Sequence, residues 1–108
     1  MQIYEKEGKL IALDEQTGTI VSVINTNLQW DGTASLLLDK EKLEFLSNEL
    51  GIELDSFHIN LDVATATSIM RECFLIEVEE IAIVGNEELT KRGKLATSLI
   101  GSIYNCTE

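Results

Sequence analysis

A chain of 108 residues with 19 acidic side chains, 8 basic ones and a single histidine carries a formal charge of −11. The length corresponds to one domain spanning residues 1–108, and an apolar content of 44% supplies a core, which excludes intrinsic disorder. The charge excludes a protein built to grip nucleic acid or an anionic membrane directly, because both demand a basic face.

Gln2–Glu5 and Lys9–Leu13 read as short strands around Gly8, and Asp14–Gly18 as the turn that leads into a β-branched strand, Thr19–Ile24. The stretch Gly8–Val21 (GKLIALDEQTGTIV) resembles a hairpin from a β-propeller blade, and Trp30-Asp31 adds a WD dipeptide. A propeller needs at least four blades of roughly 40 residues, so only the hairpin is expected. A further strand is expected near Leu28–Trp30 or Ala34–Leu38. Asp39 then caps a helix over Lys40–Leu50 that ends at Gly51, with Ile52 folding back on Leu46. Leu43, Leu46 and Leu50 share one face of this helix, whereas Phe45 sits about 200° away from Leu43.

Phe57, Ile59, Leu61 and Val63 alternate with His58, Asn60 and Asp62, the pattern of a half-buried strand. Ala64–Cys73 fits helix and strand equally. Phe74–Val84 is expected to be a strand, with a bulge or a tight bend at Glu79-Glu80 where its alternation changes phase. Gly85-Asn86 is expected to cap a final helix whose apolar arc is Leu89, Ala96, Leu99, Ile100, Ile103 and Tyr104, opposite Lys91, Lys94, Ser98 and Asn105. This order describes an α+β fold. Its sheet is mostly antiparallel, two to three helices pack on one face, a β-hairpin opens the chain and an amphipathic helix closes it.

The opening residues MQIYEKEGKLIAL interleave charged and apolar side chains, unlike a secretory signal. The uncharged runs Gln16–Trp30 and Leu95–Thr107 are too short and too polar to span a bilayer. Cys73 and Cys106 belong to no CxxC pair. A cytoplasmic protein with two buried, reduced thiols is expected.

Most catalytic signatures lack parts. There is no GxSxG elbow, P-loop lysine, GxGxxG, HExxH or EF-hand loop, and no cofactor is expected. His58 has only Ser56 and Asn60 as near neighbours on its strand face, so no local carboxylate makes it a base. Glu77 and Glu79, one pleat apart on the expected strand, are the single pair placed for acid–base work or a hard cation.

The charge itself is uneven. Residues 43–90 hold eleven acids and only Arg71, whereas residues 91–108 hold three bases and one acid. That excess suits a small non-enzymatic protein that masks or inhibits a basic protein partner, in the manner of an inhibitor or immunity protein. The expected contacts are Phe45, an aromatic anchor ringed by Glu41, Glu44 and Glu49, together with Glu53, Asp55, Asp62, Glu77, Glu79 and Glu80. The alternatives are a ligand- or metal-dependent domain centred on Glu77 and Glu79, and a structural homo-oligomer joined through the hairpin edge or the last helix.

Overall fold

The computed structural model describes residues 1–84 and 90–106. Its elements run β1 (Gln2–Lys6), β2 (Lys9–Asp14), β3 (Thr19–Asn25), β4 (Thr33–Leu37), α1 (Lys40–Leu50), β5 (His58–Asp62), α2 (Val63–Val84) and α3 (Lys91–Tyr104). The fold is α+β. Its antiparallel strands divide into a three-stranded sheet, β1-β2-β3, and a two-stranded one, β4-β5.

The three-stranded sheet follows from its punctuation. Gly8 holds a left-handed conformation (φ 77°), and a Cβ there would come 3.2 Å from that of Asn27. Its carbonyl accepts both the backbone N–H and the hydroxyl of Thr26, which ties the first turn to the end of β3. Ala12 pairs with Ser22 but Leu13 with Ile20, so Val21 is an extra residue and β3 carries the sheet's bulge. Between the two candidates for a fourth strand, the chain uses Thr33–Leu37. Leu28–Trp30 is a loop, anchored where the Trp30 indole N–H reaches the Leu61 carbonyl.

Helix α1 begins and ends as its residues dictate. The Asp39 carboxylate accepts the Lys42 N–H at 2.8 Å, and Gly51 (φ 69°) and Ile52 both donate to the Leu46 carbonyl.

The segment 74–84 is not a strand. Val63–Val84 forms one helix of 22 residues that starts directly from β5. Asp62 caps it by accepting the Thr65 N–H at 2.7 Å. The helix lies between the three-stranded sheet and α3, buried on most sides, which is why neither alternation nor a clean amphipathic arc marks it. Phe74, Met70 and Cys73 sit at the centre of the core with Leu46, Leu99 and Ile103. Polar contacts fix the helix to the sheet: Ser22 donates to Glu77 at 2.8 Å, and Arg71 pairs with Glu5 at 2.7 Å.

The expected cap at Gly85-Asn86 lies outside the described residues, as does Leu89 of the apolar arc. As described, α3 opens at Lys91, capped by the Thr90 hydroxyl, which accepts the Gly93 N–H. Ala96, Leu99, Ile100 and Ile103 are buried, while Lys91, Lys94, Ser98 and Asn105 face out. Tyr104 holds the far end of α3 against β3 by donating to the Asn25 carbonyl and accepting from its N–H.

Candidate protein-binding surface

The acidic side chains expected to form one contact face are dispersed, and most are engaged inside the molecule. On a helix Glu77 and Glu79 stand about 200° apart rather than one pleat apart. Glu77 accepts from Ser22, whereas Glu79 pairs with Arg92 at 3.0 Å. Glu80 is only 8% exposed; it accepts the Thr90 hydroxyl at 2.6 Å and lies 3.8 Å from Arg92. Asp62, spent as the cap of α2, has its carboxyl held below the usual range by the Thr65 side-chain and backbone hydrogen bonds. Among the described residues no cluster of three His, Cys, Asp or Glu side chains is placed to hold a metal ion.

Arg92 organises this region. Its guanidinium reaches Glu49 on α1 at 2.7 Å as well as Glu79 and Glu80 on α2, so one cation from α3 clasps three helices. The Glu49 hydrogen bond is the largest cause holding its proton more firmly than in a free arginine, with partial burial opposing. In the sequence the only signal of this role is that Lys91, Arg92 and Lys94 directly follow an acid-rich stretch.

Phe45 is 5% exposed and belongs to the core, not to an exposed anchor. Helix α1 turns this side toward α3, so the residue off the leucine face is covered as well. Phe45 and Leu95 supply the apolar lining of a cleft of about 350 Å³ between α1 and α3. Glu41, Glu44, Asn48 and Glu49 line one wall, Lys91 and Arg92 the other. On the opposite flank of α1 a second cleft of about 310 Å³ is lined by Leu43, Glu44, Ser47, Glu53 and Leu54. Glu44 stands on the ridge between them and lines both. Asp55 is exposed in the segment that follows. Among the described residues Glu41, Glu44, Glu53 and Asp55 make no ion pair. These four carboxylates therefore present net charge to the outside, and Glu41, Glu44 and Glu53 do so from the lining of the clefts.

His58 is exposed on the outer face of the β4-β5 sheet, among Ser35, Leu37 and Asn60. Both cysteines are free. Cys73 is buried, and that burial, assisted by the nearby charges of Glu72 and Glu77, pushes its thiol up to about 12. Cys106 is half-buried, its Sγ donating to the Ser35 and Ser102 carbonyls. No described helix is long and apolar enough to cross a membrane. A comparison with protein-family models, with curated proteins and with solved structures returns no match for this chain.

Proposed function

We propose that the chain is a non-enzymatic acidic binding protein that masks or inhibits a basic protein partner in the cytoplasm. The observation that carries this reading is the acidic rim along α1 and the segment after it, where Glu41 and Glu44, then Glu53 and Asp55, keep their charge near two clefts whose apolar lining is Phe45, Leu95, Leu43 and Leu54. Carboxylates free of internal partners speed encounter with a cationic surface, and apolar linings near them slow its departure. The carboxylates best placed by sequence for acid–base chemistry, Glu77 and Glu79, do not converge, which favours binding over catalysis. Two free thiols fit a reducing compartment.

The test compares two pairs of charge reversals with the same change in net charge. Glu44→Lys with Glu53→Lys strikes the rim; Glu15→Lys with Glu72→Lys strikes exposed sites elsewhere. Each immobilised protein is offered native lysate with nuclease added, at low salt and at about 0.5 M NaCl. One basic protein retained by the wild type and by the control pair, lost from the rim pair and weakened by salt, is the expected result. Equal retention by both pairs rejects the rim as the contact, and no retained protein in any arm rejects the partner.

A further inference from the structure

Trp30 and Thr33 are fixed to consecutive residues of one strand. The Trp30 indole N–H donates to the Leu61 carbonyl at 3.3 Å, and Thr33 opens β4 in register with Asp62. Asp31 and Gly32 are the whole of the link between these two anchors, and both are exposed. Gly32 takes a left-handed conformation (φ 70°), and a Cβ there would meet nothing within 4 Å. Among the described residues the Gly32 N–H donates no hydrogen bond to the backbone, and the Asp31 carboxylate is in no ion pair.

The other aspartates of the chain are placed differently. The carboxylates of Asp14, Asp39 and Asp62 accept the N–H groups of Gln16, Lys42 and Thr65. Asp55 precedes Ser56, whose Cβ crowds the approach to its own backbone nitrogen. Asp31 alone combines an unengaged carboxyl with a following residue that has no side chain.

We propose that Asp31-Gly32 is a site of spontaneous backbone modification, at which Asp31 isomerises to isoaspartate. The Gly32 nitrogen attacks the side-chain carbon of the protonated Asp31 carboxyl. A new C–N bond forms, the nitrogen's proton and the carboxyl's hydroxyl leave as water, and a five-membered succinimide results. Solvent water then adds to one of its two carbonyl carbons and breaks that carbon's bond to nitrogen. Opening at the side-chain carbon restores aspartate. Opening at the original main-chain carbon leaves the backbone running through Cβ, with the α-carboxylate now the side group. One water is lost and one regained, so mass and charge are unchanged and no enzyme or oxidant takes part. The product lengthens the link between Trp30 and Thr33 by one methylene. Thr33 belongs to a ladder of five paired residues, whereas Trp30 is held by a single hydrogen bond, so the indole is the anchor that gives way. The inference is independent of the acidic rim along α1.

The test incubates the folded full chain, and separately the free peptide Gln29–Ala34, in mildly acidic buffer made with oxygen-18 water. Digestion in ordinary water and fragmentation mass spectrometry then locate the heavy oxygen, which enters only when a succinimide opens. The expected result is label at Asp31, accumulating within about threefold of the rate in the free peptide, together with an isoaspartate isomer of otherwise identical sequence. The chain has one tryptophan, so its emission should move to longer wavelength in the modified fraction. Asp31→Glu should abolish both changes, since the longer side chain closes the ring far more slowly, and circular dichroism checks that this variant is folded. Label at Asp31 more than about tenfold slower than in the peptide would show that the fold protects the site and would overturn the proposal. Faster labelling at Asp55 would overturn it too, and unshifted emission in the modified fraction would overturn the release of Trp30.

Discussion

Arg92 decides how much of the acidic charge is left for a partner. By holding Glu49 and Glu79 at 2.7 and 3.0 Å and lying near Glu80, it engages three carboxylates inside the molecule, while Glu41, Glu44, Glu53 and Asp55 remain outside any ion pair. Cys73 shows the same environment from the inside. Its thiol is fully buried in the core against α2's own acids, and ionising it there is costly. A thiol reagent should therefore modify Cys106 first and reach Cys73 only as fast as the core opens; two equally fast thiols would place Cys73 at the surface. The alkaline limb of stability has a definite sign. Below the ordinary thiol range both folded and unfolded Cys73 are protonated and the group is neutral in effect. As pH rises from about 9 toward 12 the unfolded chain loses this proton first, so stability falls by up to about 1.4 kcal/mol per pH unit. Denaturant melts of the wild type and Cys73→Ala at pH 8 and pH 10 measure it: the variant, although less stable overall, should lose less between the two.

The elements whose ends carry turn and cap residues were legible in the sequence: the hairpin around Gly8, the strand after the Asp14–Gly18 turn, and α1 between Asp39 and Gly51. Where the packing partner decides the outcome, legibility failed. Phe45 lies off the leucine face of α1 and reads as an outward anchor, but α3 covers that side. In 74–84 the β-branched residues Ile76, Val78, Ile81 and Ile83 suggest a strand, and burial against both sheet and α3 blurs the helical period. One signal was present nonetheless: no Gly, Pro, Asn or Asp interrupts Val63–Val84, which is far too long for a strand. The dispersal of Glu77, Glu79 and Glu80 follows from that one reassignment. A propensity test at Leu75, 45% exposed on α2, separates the two conformations. In a helix Leu75→Ala should leave the protein about 0.5 kcal/mol more stable than Leu75→Thr. In a strand the order reverses, because threonine suits the pleated surface better. Urea unfolding of the two variants gives the answer, and threonine above alanine would remove the helix.

At the scale of the whole molecule, ionic strength acts on everything at once. The structure measures 42 × 29 × 20 Å. At about 0.01 M salt the Debye length of ~30 Å spans most of it, so nearly every charge feels every other; at about 0.15 M it shrinks to ~8 Å and only neighbours interact. With 19 acids against 8 bases the long-range sum is repulsive. The attractive contacts are short, as in Arg92–Glu49 and Arg71–Glu5 at 2.7 Å, and survive screening better than the repulsion does. Stability should therefore rise between those two salt concentrations and level off above them. Relief of about 1 kcal/mol would lift the Tm by roughly 5 °C in a domain of this size. Thermal melts in sodium chloride measure this directly. An unchanged or falling Tm would mean that the short ion pairs outweigh the long-range repulsion even at low salt. A rising Tm, with partner binding weakened over the same range, is the outcome expected of one surplus charge that repels within the fold and attracts a cationic surface.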